Sequence, residues 1–257
     1  MKILAMVLAG GNGTRLHPLT AEHAKPALLL AAGYRIIDFV LSNLVNSGIS
    51  PVYVLLQYKP QSLIEHIRTA WAAWSGGEGP AVTVVLPETS DVSAGFSGTA
   101  DAVYQNLHLI ERHKPDLVAV FAADHVYRMD IRQMARFHQE RGAEVSIAAA
   151  RVPIAQASAF GIMAVGPAGE LHEFLEKPER PAPIPADPDR AYASMGNYLF
   201  NPRVLVELLE EAHQRGDTDF GHHIMPLLPR RRRVWAYDFA GNKVHGVQPY
   251  EARGYWR

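Results

Sequence analysis

A glycine-rich segment after the first apolar run of the chain has the composition of an anion-binding loop. The apolar run covers residues 3–8, and residues 9–16, called the glycine loop from here on, read Ala-Gly-Gly-Asn-Gly-Thr-Arg-Leu. Glycines allow successive backbone N–H groups to turn towards one anion. Arg15 and Lys25 add full positive charge where the charge of a polyphosphate would concentrate. The spacing alone also allows a tight structural turn beside two surface cations.

The glycine loop differs from two common phosphate-binding motifs. A dinucleotide-binding G-x-G-x-x-G motif would need glycine where this chain has Leu16. A P-loop starting at Gly10 would need Gly-Lys-Ser/Thr from the position of Arg15 onwards. The sequence also lacks Gly-x-Ser-x-Gly and His-Glu-x-x-His, which mark serine hydrolases and zinc proteases. The loop therefore predicts phosphate binding of another kind.

A carboxylate at the end of a later apolar run is a candidate metal ligand. Asp124 follows the run 117–122, and the carboxyl ends of parallel strands are where open α/β folds bind ligands. A hard carboxylate oxygen there suits Mg²⁺ that bridges phosphate groups. A helix N-cap or a turn is the alternative role of Asp124, and we interpret the neighbouring His125 as structural.

The pattern of apolar residues predicts the elements that position these groups. In the first half, runs of strand length alternate with segments of helical period, which indicates βαβ units and a parallel sheet. The predicted strands are 3–8, 52–56, 82–86 and 117–122, and the predicted helices are 36–46, 62–74, 100–113 and 131–141. The second half is predicted to be mixed and rich in hairpins, with strands 145–152, 160–165, 171–175 and 194–200, an exposed loop 178–189 and a helix 204–213.

Composition excludes several classes of protein. The 257 residues are 48% hydrophobic and 20% charged, which is typical of a packed globular protein. The net charge of -1 lacks the basic excess of general nucleic-acid binding, and we interpret the arginine run 230–233 as a solvated turn. The absence of cysteine excludes disulfides and cysteine nucleophiles, and no apolar run approaches the ~20 residues of a membrane span. We expect a cytoplasmic protein without nucleic-acid or membrane partners.

Longer strings around these residues resemble one enzyme family. Residues 8–20, with Ala24-Lys25-Pro26 behind them, closely resemble the signature loop of the sugar-nucleotide pyrophosphorylases, and residues 35–43 (Arg-Ile-Ile-Asp-Phe-Val-Leu-Ser-Asn) resemble the ADP-glucose pyrophosphorylases among them. Further matches follow in the family's order at 57–58, 98–102, 123–127, 160–161, 176–178, 194–196 and 219–221. The resemblance extends over essentially the whole chain.

The resemblance implies a fold and a reaction. The implied fold is α/β, a Rossmann-like mixed and mainly parallel sheet flanked by helices, with residues 1–257 as one catalytic domain. The implied reaction joins ATP and glucose 1-phosphate to give ADP-glucose and pyrophosphate, with Mg²⁺ as the cofactor. No protein nucleophile is needed, because the sugar phosphate, with a second pKa near 6, is itself a largely dianionic nucleophile at pH 7. Catalysis should come from alignment and charge neutralisation.

The resemblance also assigns roles to individual residues. Arg15, Lys25 and Asp124 would be catalytic, with Asp124 as a metal ligand. The nucleotide would be bound by Leu8, Ala9, Gly10, Gly11, Gly13, Thr14, Gln57 and Gly98, with Gln57 near the adenine. Glucose 1-phosphate would be bound by Phe96, Gly161, Glu176, Lys177 and Ser194. In that pocket Lys177 would meet the phosphate and Glu176 the hexose hydroxyls, although a Glu-Lys pair alone is more typical of a surface.

The chain departs from the family at three places. Phe96 stands where the family usually has tyrosine, and residues 31–34 lack the lysine of activator-responsive members. The sequence ends in Gly-Tyr-Trp-Arg, before the family's Asp-Val-Gly-Thr with its second metal ligand and before its C-terminal β-helix domain. We therefore expect an isolated catalytic domain, for which the family's homotetramer is in doubt. The alternatives are a pyrophosphorylase for another nucleotide or sugar, and a non-catalytic regulatory subunit that binds nucleotide sugars.

Overall fold

A computed structural model of the protein describes residues 1–11, 13–71, 82–87, 95–247 and 254–256, with the backbone alone at Arg15. The strands are β1 (Ile3–Leu8), β2 (Leu29–Ala31), β3 (Tyr34–Arg35), β4 (Val52–Leu55), β5 (Val82–Val85), β6 (Leu117–Ala122), β7 (Val126–Tyr127), β8 (Val145–Pro153), β9 (Gly161–Val165), β10 (Leu171–Glu176), β11 (Arg190–Phe200), β12 (Val234–Asp238) and β13 (Tyr255–Trp256). The helices are α1 (Ile36–Asn46), α2 (Gln61–Ala70), α3 (Thr99–Tyr104), α4 (His108–His113), α5 (Ile131–Glu140) and α6 (Pro202–Arg215).

One large sheet organises the molecule. Its strands lie in the order β10-β9-β11-β6-β1-β4-β5, and β8 pairs with β11 and carries β12 on its other side. Strands β6, β1, β4 and β5 are mutually parallel. Strand β11 is antiparallel to β6, β8 and β9, and β10 is antiparallel to β9. Two strands, β10 and β11, thus run against the others in the described sheet, which confirms the predicted mixed, mainly parallel α/β fold.

Both faces of the sheet are buried, which explains why its central strands are continuous apolar runs. In β1, Ala5 and Val7 face a core cluster that includes residues of α1, α2 and α5, while Leu4 and Met6 face a second cluster with residues of α3, α4 and α6. Strands β1 and β6 contain no polar side chain, so polar side chains that bind a ligand must come from residues outside these two strands. This burial directs any ligand to the edge where β1 and β6 end.

Most predicted elements are present, and their differences have local causes. Residues 3–8, 36–46 and 117–122 form the predicted elements without change. The predicted helix 100–113 is two helices. The side-chain amide of Asn106 donates to the carbonyl of Ala102 in α3, and this hydrogen bond interrupts the helical pattern. The predicted strand 194–200 is the second half of the longer β11. Residues 72–74 of the predicted helix 62–74 lie outside the described residues.

The arginine run after α6 is paired with carboxylates. Arg231 lies 2.7 Å from Glu211 and Arg232 lies 2.8 Å from Glu207, and both glutamates are on α6. These pairs agree with the interpretation of the run as a solvated turn. Among the helices of the described residues, none has the length and apolar character needed to cross a membrane.

Candidate active site

The glycine loop leaves β1 at the carboxyl edge of the sheet and presents several backbone amides. The amide of Ala9 still donates to the carbonyl of Leu55, at 2.9 Å. Beyond it, within the described residues, the amides of Gly10, Gly11, Gly13 and Thr14 donate to no protein acceptor. Gly13 has φ +62°, a conformation that favours glycine. A row of amide donors without protein acceptors is what binding of a phosphate chain requires.

Lys25 and Asp124 meet beside the glycine loop. Lys25 opens a short 3-10 turn, Lys25–Ala27, and Asp124 follows β6, the parallel neighbour of β1. The Lys25 ammonium lies 2.9 Å from Oδ2 of Asp124 and 5.2 Å from the ring centroid of Trp256. The structure thus brings two of the three predicted catalytic residues together. The side chain of Arg15, the third, lies outside the described part of the chain.

Asp124 fits the role of a magnesium ligand. Its side chain is 33% exposed at the sheet edge, and its Oδ1 lies 3.1 Å from the fully buried ring of His125. Among the described residues no group of three or more His, Cys, Asp or Glu is placed to hold a metal alone. Mg²⁺ in phosphate-transferring sites is held by one or two carboxylates together with substrate phosphates and water. One partly exposed carboxylate beside an anion loop meets that requirement. His125 packs edge-on against Tyr255, as a structural residue would.

Gln57 joins the glycine loop to the segment before α3. Its Oε1 accepts the backbone N–H of Phe96, and its Cγ lies 4.0 Å from where a Cβ on Gly10 would stand. A Cβ on Gly95 would lie only 2.8 Å from the same Oε1, so a side chain at that position would displace the amide group of Gln57. The acceptor of Gln57 is thus occupied by the protein, and the contact of Gln57 with adenine stays a prediction.

Gly98 and Phe96 have packing roles that the sequence did not reveal. A Cβ on Gly98 would stand 2.4 Å from the carbonyl oxygen of Thr218, so this position admits no side chain. That carbonyl accepts the amides of Ala100 and Asp101 at the start of α3, at 2.8 Å and 3.2 Å. Phe96 is 8% exposed and belongs to the second core cluster. The predicted nucleotide contact of Gly98 and sugar-phosphate contact of Phe96 stay predictions.

Three of the five predicted sugar-phosphate residues, Gly161, Glu176 and Lys177, lie together at the end of β10. Glu176 pairs in register with Gly161, and a Cβ on Gly161 would lie 2.7 Å from the Glu176 Oε2. A Cβ on Gly221 would lie 3.2 Å from the same oxygen, so two glycines make room for this carboxylate. Lys177 places its ammonium 3.1 Å from Glu176 Oε1 and has φ +48°, which is rare for a residue with a side chain. Such strain is concentrated at functional sites.

A bulge in β11 brings the two clusters to one level of the sheet. The register of β11 against β8 shifts between Ser194 and Tyr198, at Gly196 with φ +70°. Before the bulge β11 pairs with β9, and after it β11 pairs with β6. Strand β9 therefore begins where β6 ends. Ser194 lies at this junction, 4% exposed, and its hydroxyl accepts the amide of Gly196 at 3.2 Å.

Sequence reasoning assigned no role to three side chains of this region. Asp219 accepts the hydroxyl of Thr99 at 2.9 Å and ties α3 to the segment that carries Gly221. Thr20 and Lys59 contact the glycine loop and its continuation. The string Asp219-Phe220-Gly221 was an available signal for Asp219. No local pattern marks Thr20 or Lys59, because their partners are distant in sequence or are carbonyl groups.

Comparison with known proteins gives consistent matches. The model of a family described as nucleotidyl transferase matches residues 4–257. Proteins named glucose-1-phosphate adenylyltransferase are 52% identical over 257 residues in Thermodesulfovibrio yellowstonii and 48% identical over 265 residues in Thermus thermophilus, each covering 100% of this chain. A protein of that name from Geobacter metallireducens is 46% identical over 257 residues and covers 99% of this chain. The matched regions make up 62%, 63% and 62% of these three relatives, respectively.

Proposed function

The chain belongs to the nucleotidyl transferase family, and from this premise we propose that it transfers the adenylyl group of ATP to glucose 1-phosphate. The products would be ADP-glucose, a glucosyl donor for α-glucan (glycogen) synthesis, and pyrophosphate. The observation that carries the proposal is the set of amides of Gly10, Gly11, Gly13 and Thr14, next to Lys25 and Asp124, which have no protein acceptor in the part of the chain that the structure describes. The relatives named glucose-1-phosphate adenylyltransferase support the choice of substrates.

The glycine loop would bind and orient the triphosphate. Its amides offer fixed dipoles, and Lys25 offers a full charge near the phosphorus at which negative charge builds up in the transition state. Arg15 would add a second cation, as its place within the loop predicts. Lys25 is paired with Asp124 at 2.9 Å, so its ammonium stands beside the carboxylate that would hold Mg²⁺ near the phosphate oxygens. Preorganised donors of this kind lower the barrier without reorganising during reaction.

Asp124 would hold Mg²⁺ against the phosphates of the nucleotide. The bound ion would neutralise charge on the phosphate oxygens and on the leaving pyrophosphate. The protein contributes one carboxylate, fixed after the end of β6 and beside Lys25. That the cofactor is Mg²⁺ is part of the proposal.

Glu176 and Lys177 would receive the second substrate. The ammonium of Lys177 suits the phosphate of glucose 1-phosphate, and Glu176, which is confined between two glycines, can accept hydrogen bonds from the hexose hydroxyls. Because β9 begins where β6 ends, this pocket lies at the level of Asp124. A sugar phosphate held there would be a nucleophile aligned with the nucleotide, and alignment is a large part of catalysis in such reactions.

The proposal extends to the organisation of the protein. We propose that residues 1–257 are a catalytic domain, because the chain spans 62% of the length of its relative from Thermodesulfovibrio yellowstonii, and the family model covers residues 4–257. A cytoplasmic location agrees with the absence of cysteine, which suits a reducing compartment.

A nucleotide panel tests the proposed activity. Pyrophosphate release would be measured with glucose 1-phosphate, Mg²⁺ and each of ATP, UTP, dTTP and CTP, with a metal-free control. Release with ATP alone is the expected result. Release with another nucleotide would indicate a different pyrophosphorylase. Binding of ATP and ADP-glucose without any turnover would instead indicate a regulatory subunit.

A further inference from the structure

The segment after the glycine loop folds back and fixes one peptide group of the loop. Thr20 is 3% exposed, and its hydroxyl donates to the carbonyl of Gly13 at 2.9 Å. The same carbonyl accepts the amide of Leu16 at 3.0 Å. A Cβ on Gly13 would stand 2.8 Å from Cγ2 of Thr20, so the two residues pack as closely as glycine permits. Thr20 is therefore part of the wall of the glycine loop.

This contact sets the direction of an amide. In a trans peptide the carbonyl of one residue and the N–H of the next point in opposite directions. Because the carbonyl of Gly13 is held towards Thr20, the N–H of Thr14 must point away from Thr20. The Thr14 amide is one of those without a protein acceptor in the described residues. Thr20 thus aims a donor that would bind phosphate.

Thr20 is in turn held by a lysine from another part of the chain. The ammonium of Lys59 donates to the carbonyl of Thr20 at 2.8 Å and also to the carbonyl of Ala21. Lys59 lies two residues after Gln57, whose side chain approaches Gly10. The short segment that follows β4 therefore contacts the glycine loop directly at its start and, through Thr20, at its end.

The backbone of Lys59 has a strained conformation, which indicates that contacts of this residue hold it in place. Lys59 has φ +44°, a region that glycine enters freely and that residues with a Cβ rarely adopt. A residue strained in this way persists where the surrounding structure holds it. Two of the three ammonium protons of Lys59 can serve the carbonyls of Thr20 and Ala21, so the group is committed to the protein backbone.

We propose that Lys59 is a positioning residue for the nucleotide: through the backbone of Thr20 it holds the glycine loop in the conformation that binds the triphosphate. The proposal rests on the proposed function for the identity of the ligand, ATP. It assigns Lys59 no contact with substrate. Loss of the ammonium would free Thr20 and Ala21 and allow the peptide between Gly13 and Thr14 to turn.

Direct binding of ATP tests this role separately from turnover. Lys59→Met removes the ammonium at similar length, and Lys59→Gly removes it while relieving the strained backbone. We expect ATP binding, measured by calorimetry, to weaken about tenfold in both variants, which corresponds to about 1.4 kcal/mol. The KM for glucose 1-phosphate should change less than twofold, and Lys59→Arg should recover most of the ATP affinity.

Lys114→Met is the matched control, because Lys114 is also a lysine in the left-handed region, with φ +45°, but caps α4 at the opposite edge of the sheet. It should bind ATP as the unchanged protein does. Wild-type ATP affinity in Lys59→Gly would overturn the proposal. Since binding is measured without turnover, an inactive protein that binds ATP would refute the proposed function and still test Lys59.

A double-mutant cycle separates positioning from direct contact. If Lys59 acts through Thr20, then Thr20→Val combined with Lys59→Met should weaken ATP binding no more than the stronger single change does. Losses that simply add would show two independent contributions and would contradict the proposed route. A melting temperature for each variant identifies any that fails to fold. If Lys59→Met does not fold, the ATP affinity of Lys59→Gly decides the question, because glycine relieves the strained backbone at this position.

Discussion

Adding one methyl group at Gly161 should impair binding of the sugar phosphate while leaving the nucleotide site intact. A Cβ at this position would stand 2.7 Å from Glu176 Oε2 and 2.6 Å from the ring carbon Cζ of Phe174. To reach 3.4 Å, where ordinary van der Waals contact begins, the carboxylate oxygen must retreat by about 0.7 Å. The ring of Phe174 is 2% exposed and has little freedom to yield. The carboxylate therefore moves first, and the remaining clash with the ring strains the packing of β9 against β10.

The size of the effect follows from the hydrogen bond at stake. A hydrogen bond to a charged group contributes about 1.5–3 kcal/mol, and the lower end of that range is about a tenfold change in affinity. We expect Gly161→Ala to raise the KM for glucose 1-phosphate about tenfold, to leave the KM for ATP within twofold, and to cost about 1–3 kcal/mol of stability through overpacking.

Steady-state kinetics with each substrate varied in turn, together with a denaturant titration, would measure these three quantities. Gly241→Ala is the control, because a Cβ there meets no atom within 4 Å and the backbone needs no glycine conformation. An unchanged KM for glucose 1-phosphate in a folded Gly161→Ala protein would refute the assignment of Glu176 to the sugar. An equal rise in both KM values would place the carboxylate between the substrates instead.

Four further changes probe the other groups. Lys177→Ala should raise the KM for glucose 1-phosphate at least tenfold with little change in that for ATP, measured by initial rates; an unchanged value would remove Lys177 from the pocket. Asp124→Asn should lower kcat at least a hundredfold and weaken Mn²⁺ binding followed by electron paramagnetic resonance; a near-normal rate would exclude it as the metal ligand. Gly98→Ala should lower the free energy of unfolding by about 2 kcal/mol or more, because its Cβ would stand 2.4 Å from the Thr218 carbonyl, and an unchanged denaturation midpoint would contradict that contact. Burial lowers the pKa of His138 below its ordinary value of 6.5, so the unfolded chain binds a proton at this imidazole more readily than the folded protein does. The stability of the folded protein should therefore fall as the pH falls below about 6.5. His138→Gln should flatten this pH dependence of the unfolding free energy between about pH 7 and 5, and an unchanged slope would assign the dependence to other groups.

The sequence was informative where one physical cause dominates. Continuous apolar runs predicted β1 and β6 to the residue, because strands buried on both faces leave no polar alternation. The same rule predicted the position of Asp124, since a carboxylate after a buried parallel strand must emerge at the sheet edge. The contact between Lys25 and Asp124 depends on β1 and β6 being parallel neighbours, a pairing that the structure shows and the sequence did not predict.

The remaining features depend on contacts between distant residues. The break after Tyr104 depends on one asparagine side chain, and the length of β11 depends on its having β9, β6 and β8 as partners. Lys59 could not be assigned from sequence, because its partners are two carbonyl groups 38 and 39 residues away, which carry no residue-type signal. For the same reason, the carbonyl of Thr218 could not be anticipated as the group that excludes a side chain from Gly98.

Three glycines of the site are required for three different reasons. Gly13 has a backbone conformation with φ +62°, Gly98 lies against a carbonyl that leaves no space for a Cβ, and Gly161 makes room for a carboxylate. From the sequence alone, each of these glycines indicates only a flexible loop or a place where a ligand comes close to the backbone. The structure separates them, and each reason predicts a different consequence of substitution with alanine: a distorted glycine loop, a destabilised junction with α3, and a displaced Glu176. Because a Cβ on Gly161 would contact only residues of β10, and because β11 and β6 separate β9 from β1, a change at Gly161 should alter the sugar pocket without reaching Gly13; the paired KM measurements test this independence.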